Sequence, residues 1–366
     1  MIELRNVTRR FGLTTLAIKG LDLTVQDREF LVLYGPAGAG KSTTLKMIAG
    51  IVRPTSGDIL RDGQSLLGVP PERRDMAMCF ENYALYSHLS VFENLAFPLR
   101  AKGVADSEIQ AKVTRIAETL GIPHLLERRP GFLSGGQRQR VALGRAIIRP
   151  ASTYLLDEPI GHLDAKLRHR MRAELKAMAR DLASTIVLTT TSSREALALG
   201  DRIAVLDQGV LQQLGTPEEI YHRPVNEFVA SFVGEPPMSF LDATVEQEGG
   251  QPALRLRSGH RLPVGPGWAA PLRGSACRLG VRAAELSIAD QADDRHAVPV
   301  TVDQVELLGH VRVVRLGLGQ ELIAVVVPPE RHLVPGQPLW LAIDPARLHV
   351  FQDGRAVSHP AMPTVH

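Results

Sequence analysis

Along residues 1–60, apolar runs of β type alternate with polar turns. Leu23-Thr24-Val25 and Phe30-Leu31-Val32-Leu33-Tyr34 read as strands. The second run is apolar throughout, the pattern of a strand buried on both faces. It leads into a glycine-rich turn, after which Thr43–Ala49 reads as a helix. Strand, Gly-rich loop and helix in that order open an α/β fold. Residues 100–150 interleave charges with Ile, Val, Ala and Leu in a helical pattern, with a helix expected over Arg138–Ile148. Residues 152–157 and 185–190 read as two more buried strands. Asp201–Leu206 reads as another, ending at the turn Asp207-Gln208-Gly209.

The pattern changes near residue 234. Gly234-Glu235-Pro236-Pro237 is rich in turn formers and reads as a hinge. Beyond it, short β-like segments such as Ala253–Leu256, Val311–Leu316 and Leu322–Val327 are separated by Gly and Pro, which suggests a small barrel or sandwich. The last dozen residues read as a loose tail.

Composition narrows the class. At ~150 residues per domain, 366 residues suggest about two domains. Hydrophobic residues at 44% and charged residues at 22% supply a sizeable core and argue against wholesale disorder. No apolar run reaches the ~18 residues of a membrane-spanning helix. Met1-Ile2-Glu3-Leu4-Arg5 does not read as a secretory leader. The net charge of +3 is too small to argue for nucleic acid. Cys79 and Cys277 stand far apart and outside metal-ligand spacing, which disfavours a disulfide framework or a zinc site and fits a reducing cytosol.

Three elements carry phosphate chemistry. Gly35-Pro36-Ala37-Gly38-Ala39-Gly40-Lys41-Ser42, followed by Thr43, fits G-x-x-x-x-G-K-[ST] with a strand before and a helix after. Its glycines let backbone N–H groups point at phosphate oxygens, and the helix N-terminus faces the same anion. Lys41 is placed to reach the β/γ-phosphates and Ser42 to ligate Mg²⁺. Thr153–Glu158 is a β-run ending in two carboxylates. Asp157 is expected to hold the metal and Glu158 to act as general base on the attacking water. Taken alone, that run is also a strand ending in an acidic turn. Leu133-Ser134-Gly135-Gly136-Gln137 opens a helix and is a second anion cradle, though by chemistry alone Ser134 is only a good N-cap.

The order of these elements resembles an ATP-binding cassette (ABC) ATPase, and Leu133–Gln137 is the specific signature. Ala84–Val91, Arg138–Gly144, Gly215–Tyr221 and Phe228–Gly234 are similar to importer subunits of the maltose/glycerol-3-phosphate type. Gly280-Val281-Arg282 and Leu307-Leu308-Gly309 match more loosely. The resemblance implies a RecA-like α/β P-loop cassette over residues 1–234 with a helical subdomain at about 85–150. A C-terminal OB-like (TOBE-type) β-domain over 235–353 and a tail over 354–366 follow. It implies a carbohydrate-transport ATPase that binds ATP and Mg²⁺ at the cytoplasmic face of the inner membrane. Two such subunits sandwich two ATPs and drive two permease subunits. It also implies that an extracytoplasmic solute-binding protein takes part indirectly and that no nucleic acid is involved. Phe11 falls where the family sets an aromatic under the adenine; a plain core Phe is the other reading. Asp164 keeps its family place in the D-loop.

Three positions depart from the family. Phe80-Glu81-Asn82-Tyr83 has Glu81 where the family has a glutamine that contacts Mg²⁺ and water. Thr190-Thr191-Ser192-Ser193 has Thr191 where the switch histidine stands. Gly161-His162-Leu163-Asp164 replaces Ser-Asn-Leu-Asp, and His162 there reads as a solvated or interface residue or as a compensating one. Phosphate-binding parts are thus intact while parts that sense the γ-phosphate are altered. A heterodimer in which this chain is the degenerate partner is the favoured expectation. The alternatives are a homodimer working without the histidine and a soluble cassette protein outside transport.

Overall fold

The computed structural model describes residues 1–161, 163–182, 184–248, 251–263, 276–291 and 297–358. The chain forms two compact units, Met1–Pro217 and Glu218–His366. His162 and the chain end beyond residue 358 lie outside the described residues.

The first unit contains two sheets. Strands β1 (Ile2–Phe11), β2 (Thr15–Val25), β4 (Ser56–Arg61) and β5 (Gln64–Ser65) form an antiparallel sheet in the order β2-β1-β4-β5. The second sheet holds β3 (Phe30–Tyr34), β6 (Met76–Cys79), β7 (Thr153–Asp157), β8 (Thr185–Thr190), β9 (Arg202–Asp207) and β10 (Val210–Gly215) in the order β10-β9-β3-β8-β7-β6. All its pairs are parallel except β9 with β10. Every residue of β3, β7 and β8 is buried, and in β3 the run is apolar throughout, as a strand covered on both faces requires. Helix α1 (Lys41–Ile48) follows β3 directly, and Leu45, Met47 and Ile48 pack into a core with Leu31, Leu33, Leu155 and Val187. Burying each such side chain contributes about 1.5–3 kcal/mol. The buried guanidinium of Arg74 donates to the carbonyls of Met47 and Ile48, placing a cation at the negative end of α1.

The helical segment consists of α2 (Val91–Arg100), α3 (Asp106–Thr119) and α4 (Gly135–Ile147). Gly144 of α4 lies where an added Cβ would sit 2.7–3.1 Å from Leu120, Leu95 and Ile116, so its lack of a side chain permits that packing. Helices α5 (Ala165–Leu182) and α6 (Ser193–Leu199) connect β7 to β8 and β8 to β9.

The second unit begins with α7 (Pro217–His222) and α8 (Glu227–Phe232) and then becomes all-β. Six antiparallel strands, β11 (Ser239–Glu248), β12 (Gln251–Leu256), β13 (Arg261–Pro263), β14 (Ala276–Val281), β20 (His349–Gln352) and β21 (Arg355–Ser358), run in the order β13-β12-β11-β14-β20-β21. Five more, β15 (Ser287–Ala289), β16 (Ala297–Leu307), β17 (Arg312–Leu318), β18 (Glu321–Val327) and β19 (Pro338–Ala342), run β15-β19-β16-β17-β18. Leu241, Leu254, Leu279, Val300, Leu316, Val325, Leu341 and Val350 form their shared core.

The unit boundary falls at Pro217, ahead of the expected hinge at 234. The physical reason is Arg282, whose buried guanidinium lies 4.1 Å from the Tyr221 ring centroid and donates to the carbonyls of Tyr221, Ala230 and Val233. It fastens α7 and α8 to the β-domain. Arg355–Ser358, expected within the loose tail, pair with β20 instead.

Candidate functional site

Parallel strands create the site. Register pairs Tyr34 with Thr190, Asp157 with Thr189, and Cys79 with Leu156. The C-terminal ends of β3, β8, β7 and β6 therefore share one edge, the edge at which open α/β sheets bind ligands. The loops leaving that edge carry Gly35–Gly40, Thr191, Glu158 and Glu81.

The glycines of the first loop have distinct roles. An added Cβ on Gly35 would fall 2.2 Å from the Leu206 carbonyl oxygen. Gly40 adopts φ +98°, a left-handed conformation that L side chains rarely take, and its Cβ would fall 2.4 Å from Ile18. Pro36, Ala37, Gly38 and Ala39 complete the curl, with Gly38 also left-handed at φ +80°. The buried Lys41 Nζ donates to the carbonyls of Gly35 at 2.8 Å and Pro36 at 3.0 Å. It also lies 3.9 Å from Glu158 Oε1. Thr43 stands in the first turn of α1.

Ser42 Oγ donates to Asp157 Oδ1 at 2.7 Å, and Thr189 Oγ1 donates to the same oxygen at 2.8 Å. Ser42 and Asp157 thus present converging oxygen donors at the mouth of the loop. Among the described residues no cluster of three or more His, Cys, Asp or Glu could hold a metal unaided. A small hard cation such as Mg²⁺ fits this pair, since it retains waters and takes substrate phosphates as ligands.

Glu158 is the most perturbed group at the site. Burial pushes its carboxyl up to about 7, against the opposing charge of Lys41 and with added push from Glu195, Asp157 and Glu81. Burial also lowers the Lys41 ammonium, which Glu158, Asp157 and Glu81 partly restore. Glu158 has φ +47°, a strained conformation for a side-chain-bearing residue. Two bonds hold it there. Its N–H donates to Thr189 Oγ1 at 3.0 Å, and its carbonyl accepts from the buried Gln139 Nε2 at 2.8 Å. Thr189 and Gln139 escaped the sequence reading because each acts across a long sequence separation. Glu81 is exposed on its loop, yet close enough for its charge to act on both Lys41 and Glu158.

The raised value fixes a pH dependence. A carboxyl whose folded value exceeds its ordinary 4.5 favours the native state fully below 4.5, and that contribution is lost as pH rises through about 7. The general-base role expected of Glu158 runs the other way, because a general base must be ionised. Turnover is expected to rise as pH climbs through about 7, and Glu81→Gln to shift that limb to lower pH by removing a like charge. A pH–rate profile at saturating ATP checks this; a rate flat across about pH 6–8 contradicts it.

The remaining expected residues stand apart. Ser134 N-caps α4 and forms a reciprocal capping box with Gln137, bonding at 2.9 and 3.3 Å. Among the described residues no hydrogen bond joins Ser134, Gly135, Gly136 or Gln137 to Lys41, Ser42, Asp157 or Glu158. Phe11 is 40% exposed and carries the Arg9 guanidinium 4.3 Å from its ring centroid, so it is a surface aromatic and not a core one. Asp164 Oδ1 accepts from Leu167 N at 2.9 Å and caps α5. Thr191 is exposed.

Residues 18–161 match the ABC transporter family and residues 279–351 the TOBE domain. The chain is 41% identical over 353 residues to the sulfoquinovosyl glycerol transport ATP-binding protein of Agrobacterium fabrum, covering 96% of this chain and 97% of the relative. The chain belongs to the ABC transporter ATP-binding family. The chain is also 42% identical over 373 residues to the trehalose/maltose import ATP-binding protein of Thermococcus litoralis, covering 97% and 99% of the two. It is 41% identical over 363 residues to an sn-glycerol-3-phosphate import ATP-binding protein of Rhizobium johnstonii, covering 99% and 97%. Among solved structures, it resembles the dimeric post-hydrolysis state of the ATP-binding cassette MJ0796 bound to ADP and Pi. That likeness has TM-score 0.56 and 26% identity, over 59% of this chain and 99% of the other. The cassette is therefore an ATP-binding ATPase with a C-terminal TOBE domain, and none of its described helices is long and apolar enough to cross a membrane.

Proposed function

We propose that this cassette powers an importer of a sugar, polyol or glycerol-phosphate-type solute as the degenerate member of a heterodimer. The relatives named for transport of such solutes support the solute class. Two permease subunits receive the work at the cytoplasmic face of the membrane, and a solute-binding protein acts indirectly on its far side. The segment over residues 82–94, a loop that runs into the start of α2, suits the permease contact. Its Tyr86 ring lies 4.8 Å from the Phe97 ring, both are exposed, and buried Asn94 bonds the carbonyls of Tyr86, Leu89 and Ser90.

Within the site, Lys41 and the loop of Gly35–Gly40 hold the β/γ-phosphates, and Phe11 lies under the adenine. Ser42 and Asp157 hold Mg²⁺, with Glu81 beside them. The ion supplies charge neutralisation to the phosphates when bound. Glu158 takes the proton of the attacking water. Ser134, Gly135, Gly136, Gln137 and Asp164 serve the nucleotide of the opposite subunit.

The observation that carries the heterodimer is the pairing of an intact phosphate loop with Thr191 and Glu81. Thr191 offers a short neutral hydroxyl where the family has an imidazole donor. Losing a positioned donor to developing charge costs on the order of 10²–10³ in rate. Purified alone, the full chain is expected to bind Mg-ATP and hydrolyse it slowly, even at concentrations that force dimers. Turnover at about 1–10 s⁻¹, ordinary for an enzyme, contradicts the degenerate site.

A further inference from the structure

Behind the switch position lies a buried carboxylate that the ATPase chemistry described above does not use. Glu195, in the first turn of α6, is 1% exposed. Its Oε2 accepts from Thr190 Oγ1 at 2.6 Å, and Thr190 Oγ1 in turn accepts from Ser192 N at 3.0 Å. Glu195 N donates to Ser192 Oγ at 3.3 Å. Glu195 is therefore bonded to the residues on both sides of Thr191, to Thr190 through its carboxylate and to Ser192 through its backbone N–H. Its other oxygen, Oε1, is buried and has no hydrogen-bond partner.

Facing that oxygen is Arg168, one turn into α5. Its Nε is likewise buried without a partner and lies 3.7 Å from Glu195 Oε1. The same guanidinium donates through Nη2 to the carbonyls of Gly161 and Leu163, both at 2.9 Å. These carbonyls belong to the D-loop that ends at Asp164. A buried donor and a buried acceptor of opposite charge are thus left unsatisfied within reach of each other. At 3.7 Å they attract but do not form a hydrogen bond. A charge-assisted bond lies at about 2.7–2.9 Å, so a shift of roughly 1 Å satisfies both groups. The D-loop carbonyls hold the guanidinium back, which makes the gap a function of where the D-loop sits.

We propose that Arg168 and Glu195 are a positioning pair that couples the D-loop to the switch loop, closing to a hydrogen bond when the cassette binds nucleotide. Neither side chain touches the reacting atoms. Arg168 sets the backbone that carries Asp164, and Glu195 sets the backbone that carries Thr191. Closing the pair ties the element that faces the opposite subunit to the element that faces the γ-phosphate. The inference rests on the ATPase identity and is independent of whether the partner subunit is a second copy or a different cassette.

The direct test is a pair of experimental structures of the full chain, with and without a non-hydrolysable Mg-ATP analogue. The Nε–Oε1 distance is expected to fall below about 3.2 Å with nucleotide. A distance unchanged or lengthened overturns the proposal. Kinetics give an independent arm. In single-turnover assays at concentrations that force dimers, Arg168→Ala and Glu195→Gln are each expected to slow hydrolysis about tenfold while fluorescent-ATP affinity changes less than about twofold. The double variant is expected to be no slower than the slower single one. Arg168→Lys, which keeps the charge but not the fork, should recover only part of the rate. Losses that multiply in the double variant, or that appear as weaker ATP binding, overturn the coupling. Melting temperatures of all four variants separate loss of fold from loss of positioning, and the structural arm uses the unaltered chain.

Discussion

Lys41→Ala is expected to abolish measurable ATP binding, lowering affinity at least 100-fold, or about 2.7 kcal/mol. The residue is buried in its own loop, with its ammonium against the carbonyls of Gly35 and Pro36. In the proposed function it is the cation that the loop brings to the β/γ-phosphates. A hydrogen bond to a charged group is worth about 1.5–3 kcal/mol, and more than one such bond is lost. A second consequence follows from Glu158. The Lys41 charge is what opposes the rise of that carboxyl toward 7, so removing it leaves the base protonated to still higher pH. Isothermal calorimetry with Mg-ATP checks the first effect; an unchanged heat and affinity contradicts the phosphate-loop assignment.

Restoring the family residues at two positions is expected to have the next largest effect. Glu81→Gln combined with Thr191→His should raise the turnover of the purified chain at least tenfold, about 1.4 kcal/mol of barrier. The two changes act differently. Glu81 is one of the charges that raise Glu158, so the amide moves the base toward its ionised form near neutral pH. Thr191 is exposed at the end of β8, so an imidazole there extends from a rigid strand end toward the phosphate edge. Thr190, the preceding residue, is fixed by Glu195, which anchors the backbone from which the new side chain projects. Steady-state phosphate release by the single and double variants separates the contributions; a double variant no faster than the unaltered chain contradicts the reading that these positions weaken the site.

Much of the architecture is legible in the sequence because local pattern dictates it. The apolar runs at Phe30–Tyr34 and 185–190 coincide with β3 and β8, and the glycine spacing before Lys41 marks the loop whose close approaches to Leu206 and Ile18 exclude side chains. Asp157 and Glu158 are recognisable as a strand-end pair, and the structure brings Asp157 to Ser42. What local pattern does not carry is pairing across distance. Nothing near Gln139 announces that its amide holds the Glu158 carbonyl, or near Arg168 that its guanidinium faces Glu195. The placement of α7 and α8 in the second unit is decided by Arg282, whose partners lie 49–61 residues away. The Pro-rich hinge at 234 is a true turn signal, but contacts across the chain, not turn propensity, set the compact units. Phe11 illustrates a different limit: an aromatic in a β-run reads as core or surface alike until the Arg9 side chain is seen against its exposed ring.

The proposed division of labour between two unlike ATP sites is tested most directly in the assembled importer. Transport is to be measured with Gly136→Asp, in the signature proposed to serve the opposite subunit, and separately with Glu158→Gln, in the site proposed to be this chain's own. Gly136→Asp is expected to stop transport, and Glu158→Gln to leave most of it. If Glu158→Gln stops transport as completely as Gly136→Asp does, this chain's own site is a full catalytic site that works with Thr191 in place of the histidine, and the degenerate-partner account is wrong.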